Sequence, residues 1–260
     1  MKQAGKVWLL GVVLLWSGGL AASDLEKEQR WAEQVVGDLF DGEAVWPQAG
    51  GRNFLALFTA AEGGTSQGNV LVLHGVGAHP DWPQVINPLR VSLAERGWNT
   101  LSLQLPVLAN EAAVEDYLPL FDEADARIDE GIAYLRDCCE GPVFIVAHSL
   151  GAAMASWYLA AHPDSVIQGF VGVGMNTSDY DKLNNAASLA KIRLPVLDLF
   201  GERDLEGVLA GAGARNSAAA IAGNDAYTRQ TIAGADHFFE GKEAELLDAV
   251  AAWLGSVAMR

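Results

Sequence analysis

The chain has 260 residues, 50% hydrophobic and 19% charged, enough to bury a substantial core as one ordinary domain and too apolar for a disordered protein. Its 33 acidic residues against 17 basic ones leave a formal charge of −16, which disfavours contact with nucleic-acid phosphates and anionic lipid headgroups. Glycines and prolines are spread along the chain, with no repeat or linker tract to mark a second domain.

Lys2 and Lys6 precede an apolar stretch from Val7 to Leu20, and the small residues Ala21, Ala22 and Ser23 follow it. This pattern predicts a secretory signal peptide over residues 1–23, cleaved after Ala22 or Ser23, because the stretch is shorter than the roughly 20 residues needed to span a bilayer. Its removal takes away two lysines and no acid, moving the formal charge to −18. A periplasmic or secreted protein with no membrane span after cleavage is expected. Residues 24–260 then form a single domain.

Beyond the signal, Trp31, Val35 and Leu39 fall on one face of an N-terminal helix, and a strand is expected near 53–59. Short β-branched or apolar runs then alternate with helical patterns. The runs are at 69–74, 99–105, 142–147, 166–173, 194–200 and 227–233. A helix begins near Pro83 or Pro88 and stops at Gly97. Phe121, Ala124, Ile128, Ile132 and Leu135 recur at helical spacing, as do Leu246, Leu247, Val250, Trp253 and Leu254. Several strands are apolar throughout, which suits an open, mostly parallel α/β sheet with helices on both faces. Its site is expected at the carboxyl ends of the strands. The two cysteines, Cys138 and Cys139, are neighbours. A bridge between adjacent residues is strained, so two thiols are the favoured expectation, with a bridge possible in an oxidising compartment.

The sharpest motif is Ala147-His148-Ser149-Leu150-Gly151, directly after the apolar run at 142–147 and directly before a small-residue helix. Strand, sharp turn and helix are the setting of a nucleophile elbow, with small residues two before and two after the serine. The competing reading is a serine that caps a helix. With these residues in place the sequence resembles the α/β-hydrolase superfamily from about residue 53 to the C-terminus. It looks most like bacterial members without a large lid, with Ala147 where glycine is commonest.

The resemblance implies an order of nucleophile, acid and base along the chain. Only His162 and His237 follow Ser149, and His237 lies just beyond the last predicted strand, so it is the expected base. The acid is expected after the strand at 194–200, where Asp204 matches the family's placement. Glu202, Asp179 and Asp181 stand as substitutes, and the alternative for Asp204 is a helix cap. The family's oxyanion donors correspond to the backbone N–H groups of Leu150 and Val76. His74 is expected to pack or hydrogen-bond within its loop. The segment 174–193 is too short for a large lid, leaving an open cleft with Trp82, Met175, Tyr180 and Phe238 near its mouth.

The expected function is therefore hydrolysis of a small ester or thioester through an acyl-enzyme, without metal or organic cofactor. The HExxH, CxxC and phosphate-loop patterns are absent. The same triad serves amidases and peptidases, and a catalytically silent relative that binds a ligand or envelope partner is the competing class.

Overall fold

The structure, a computed structural model, describes residues 23–259; the proposed signal segment up to residue 22 lies outside the described residues. The first helix, α1 (Leu25–Asp38), is capped by the Asp24 carboxylate, which accepts the Lys27 N–H. Ala32 and Val35 bury against Leu55 and Leu57, with Leu39 packed at the edge. Trp31 leaves that face. Its ring meets the His79 imidazole edge-on at 5.4 Å, with Lys27 Nζ over it.

Next come β1 (Glu43–Val45) and a small hairpin of β2 (Gln48–Ala49) and β3 (Arg52–Asn53). The strand expected at 53–59 is split, because the Phe54 N–H turns back to the Pro47 carbonyl and only β4 (Ala56–Thr59) joins the main sheet. The alternating unit then runs β5 (Asn69–Leu73), α2 (Ile86–Glu95), β6 (Asn99–Leu103), a 3-10 segment (Val114–Leu120), α3 (Phe121–Cys138), β7 (Val143–His148) and α4 (Leu150–Ala161). It continues with β8 (Ile167–Val173), α5 (Asn185–Leu189), β9 (Val196–Gly201), α6 (Glu206–Ala222), β10 (Tyr227–Ile232) and α7 (Glu243–Ala258).

The eight-stranded sheet has the order β1-β4-β6-β5-β7-β8-β9-β10. The pairs β1/β4 and β4/β6 are antiparallel, and every other pair is parallel. All residues of β5, β6, β7 and β9 are buried, as expected where helices cover both faces. Successive side chains go to opposite faces. Leu71, Leu73, Leu103 and Ile145 face α3 and α4 through Phe121, Ile128 and Met154. Val70, Val72, Phe144 and Val146 face α2 and α7 through Leu89, Leu93, Leu246 and Val250.

Cys138 and Cys139 form a disulfide rather than two thiols. Cys138 ends α3, while Cys139 adopts extended backbone (φ −142°, ψ 136°), so the two side chains are not held apart at helical spacing.

Among the described residues, one ion pair has both side chains fully buried. Asp198, in the middle of β9, accepts from Arg215 Nε of α6 at 2.8 Å and from the Tyr227 hydroxyl of β10 at 2.7 Å, and both members of the ion pair are fully buried. It ties the last helix–strand unit to the sheet. Removing one partner of such a pair leaves the other charge uncompensated. Asp198→Ala is expected to cost about 3–5 kcal/mol, read as a lowered urea midpoint with an unchanged m-value.

Candidate active site

Between β7 and α4 a single residue, Ser149, reverses the chain. Its backbone sits at φ 56°, ψ −120°, a region that residues other than glycine avoid. The strain is held from outside, because the Ser149 N–H donates to the Val173 carbonyl at the end of β8 (2.9 Å). Crowding explains the small residue two positions on. A Cβ at Gly151 would stand 2.4 Å from the His74 carbonyl oxygen, so only glycine lets the first turn of α4 sit against the end of β5.

The turn aims the hydroxyl at His237, in the loop after β10, with Ser149 Oγ 3.0 Å from His237 Nε2. On the ring's other side His237 Nδ1 lies 2.6 Å from Asp204 Oδ1, in the loop after β9. A carboxylate accepts, so the proton of the neutral ring is on Nδ1, and Nε2 is free to accept from the serine. Asp204 also accepts the Leu205 and Gly201 N–H groups at 2.8 and 3.2 Å. Burial works to raise its carboxyl. The hydrogen bond and charge of His237, with those two N–H groups, outweigh burial and hold it below the usual carboxylate range.

Leu205, not Asp204, is the residue before α6, so Asp204 is not that helix's N-cap. Glu202 turns away and accepts the Gly234 N–H, tying the two loops together, while Asp179 and Asp181 are exposed in the 174–193 segment.

Two further imidazoles support the loops, and the sequence did not mark their tasks in this detail. His148 is buried, and its Nε2–H donates to the His237 carbonyl at 3.0 Å, fixing the backbone that carries the facing ring. Burial first, then the neighbouring His237, lowers His148 to about 4. His74 Nδ1–H donates to the Gly75 carbonyl at 2.8 Å, while its Nε2 accepts from the Leu105 N–H and the Gln104 amide. Burial lowers it to about 3. The Gly75 carbonyl and the Val76 N–H belong to one rigid peptide plane, so His74 also sets the direction of that N–H. A Cβ on Gly75 would lie 3.0 Å from that of Ser149, which places the loop beside the hydroxyl. Among the described residues neither the Val76 nor the Leu150 N–H finds a protein acceptor.

A cavity of about 590 Å³ lies over Ser149 and Leu150. Tyr180, half exposed, lines it with Asn176, Thr177 and Asn184 of the 174–193 segment and with Val114 and Glu115 of the 3-10 segment. The residues at 114–115 carried no signal, since a short 3-10 segment has no periodicity to read. Phe238 is exposed beside His237, ring centroids 5.3 Å apart. Two expected contacts are not at the cleft. Met175 is fully buried, its sulfur packed over Gly172, and Trp82 packs on the α2 side of the sheet beside His79. In both cases the apolar side chain finds core to cover.

Solved structures share this architecture. Est1E from Butyrivibrio proteoclasticus is 14% identical, with a TM-score of 0.64, covering 84% of this chain and 99% of its own. A dienelactone hydrolase from Anabaena variabilis is 22% identical, with a TM-score of 0.63 over 83% and 97%. XC6422 from Xanthomonas campestris, an α/β serine hydrolase without lid, is 15% identical, with a TM-score of 0.64 over 82% and 94%. The fold is the α/β-hydrolase fold. Within it, the chain belongs to the family described as protein of unknown function DUF3530, whose model matches residues 21–119 and 119–256. No curated protein matches the sequence.

The buried imidazoles make stability depend on pH with a definite sign. In the unfolded chain histidine takes up a proton near pH 6.5, whereas folded His148 does so only near pH 4. The unfolded state therefore binds more protons between those values, and stability falls as pH falls. The urea midpoint of the wild type is expected to drop from pH 7.5 to pH 5 more steeply than that of His148→Gln, which cannot take up that proton. Parallel slopes would contradict a neutral buried His148.

Proposed function

We propose that the chain is a serine hydrolase that cleaves a small ester or thioester through an acyl-enzyme. The observation that carries the reading is the continuous series from Ser149 Oγ through His237 to Asp204, at 3.0 and 2.6 Å, starting from a strained turn at a strand end. A serine hydroxyl is a weak nucleophile at neutral pH and needs a base to remove its proton. His237 Nε2 takes that proton as Ser149 Oγ attacks the carbonyl carbon, and Asp204 stabilises the imidazolium that forms. The Leu150 and Val76 N–H groups receive the oxyanion. His237 then protonates the leaving alcohol or thiol, and water repeats the sequence to release the acid. The names of the structural neighbours, among them a serine hydrolase without lid, support hydrolase chemistry, and the short 174–193 segment supports an open cleft.

The protein acts outside the cytoplasm on this reading. A disulfide between Cys138 and Cys139 suits an oxidising compartment, and among the described residues no helix is long and apolar enough to cross a membrane. Ser23 Oγ donates to Glu123, and the Asp24 N–H donates to the Val107 carbonyl. Cleavage after Ala22 keeps both contacts, which favours that site over Ser23.

A fluorophosphonate probe tests the chemistry. The wild type is expected to label and Ser149→Ala not to; equal labelling of the two, or none of either, overturns the enzyme reading. Asp204→Asn is expected to lower kcat/KM on a short-chain aryl ester by about 10³–10⁴-fold. His74→Phe keeps the ring volume but frees the 75–76 peptide, and is expected to lower kcat by roughly 10–100-fold with KM little changed.

The pH profile adds a separate check. Between pH 5 and 8 His74 and His148 stay neutral and Asp204 stays ionised, so the acid side of the kcat/KM profile reflects a single proton. A slope of two would show that a second group titrates.

A further inference from the structure

One wall of the cavity over Ser149 is the turn at Asn176 and Thr177, just after β8, and a single buried side chain holds its backbone. Asn185, the first residue of α5, is fully buried. Its Nδ2–H donates to the Asn176 carbonyl at 2.8 Å, and its own backbone N–H donates to the same oxygen at 3.2 Å.

The other arm of the amide reaches the helix that starts at the nucleophile. Asn185 Oδ1 accepts from the Ser156 hydroxyl at 3.0 Å, a proton shared with the Ala153 carbonyl at 3.1 Å. Ser156 lies on α4, about two helical turns beyond Ser149, and is also fully buried. An amide that donates on one arm and accepts on the other is fixed at both ends, so it sets a distance between the elements it joins. Asn176 is enclosed from the opposite side as well. A Cβ at Gly207, in the first turn of α6, would stand 2.2 Å from Asn176 Oδ1. The turn is gripped between α5 and α6, and Asn185 ties it to α4.

On the hydrolase reading above, on which this rests, we propose that Asn185 is a positioning residue for substrate selection. It holds the wall at Asn176 and Thr177 at the separation from Ser149 at which a large ester makes contact across the cavity. A small ester reaches the serine without that wall and depends on it less. Asn185 acts through Asn176, and small displacements of a binding wall are felt in catalysis at a distance.

Steady-state hydrolysis of phenyl hexanoate, large on both sides of the scissile bond, and of ethyl acetate tests the role, each variant being set against the wild type on the same ester. Asn185→Ala keeps the backbone bond to Asn176 and loses both side-chain bonds. It is expected to raise KM for phenyl hexanoate by about five- to tenfold and KM for ethyl acetate by less than about twofold, with kcat on each lowered by less than about threefold. Ser156→Ala is expected to shift the two KM values in the same sense, and the double variant to shift them no further than Asn185→Ala alone, because both changes cut one connection. Gly207→Ala presses on Asn176 from α6 while leaving the bonds of Asn185 in place. It is expected to raise KM for phenyl hexanoate selectively too, which keeps the test decisive if Asn185→Ala does not fold. Asn69→Ala removes an equally buried asparagine, bonded to the Glu140 carbonyl at the opposite end of β5 from the Gly75 loop, and is expected to leave the KM ratio of the two esters at its wild-type value. Equal KM changes for both esters in Asn185→Ala and Gly207→Ala, a fall in kcat alone, or the same selective shift in Asn69→Ala would each overturn the proposal. Fluorophosphonate labelling separates that failure from failure of the hydrolase reading. If wild type and Asn185→Ala label alike and share one ester preference, the positioning role alone is lost, whereas a wild type that neither labels nor cleaves either ester removes both.

Discussion

The cleft is referred to one backbone constraint, the single-residue reversal at Ser149. A strand that ends at His148 and a helix that starts at Leu150 leave no room for an ordinary turn, so the serine takes a conformation that costs energy in isolation. The surrounding sheet supplies the compensation. β8 accepts the serine's own N–H, and the end of β5 presses on Gly151, where no side chain could fit. Because those strands are buried in the centre of the sheet, the reversal cannot relax without disturbing the core.

Around that turn, three histidines share out separate tasks by their hydrogen bonds. His237 spans serine and carboxylate; His148 holds the carbonyl of His237; His74 holds the carbonyl of Gly75. The two supporting rings are buried among backbone groups and kept neutral by that burial, so each presents one donor and one acceptor in a fixed arrangement. The facing ring has a carboxylate on one side, which sets its tautomer. The same residue type is thereby used twice as a rigid connector and once as the link between a hydroxyl and a carboxylate.

Much of this fold was legible in the sequence because central parallel strands read as apolar runs, and their ends differ from expectation by only a residue or two. The edge was harder. β1, β2 and β3 have two or three residues each, too few to show a period of two, and the Phe54 turn that separates β3 from β4 depends on a contact back to Pro47. Order along the chain was enough to bring Ser149, Asp204 and His237 forward, since each follows a strong strand. Met175 and Trp82 were misplaced because an apolar residue in a loop near a strand end looks alike whether it faces a cleft or the core. The support given by His148 was illegible for a different reason, and His74 was legible only as a group held within its loop: the partners of both are carbonyl groups, which every residue has.

The path from α1 to the Gly75 loop has a consequence for where the domain begins. Glu28 bonds Arg127, Arg127 bonds the Gln104 carbonyl, the Gln104 amide bonds His74, and His74 bonds Gly75. The likeness to α/β hydrolases in sequence becomes readable only near residue 53, which invites treating the first helix as a dispensable extension. It is instead the anchor of a buried charge that connects through Gln104 and His74 to the loop at Gly75, so the folded unit includes α1. Truncation to the recognisable part of the sequence would strip Arg127 of its most buried counter-charge and leave the unit incomplete rather than minimal.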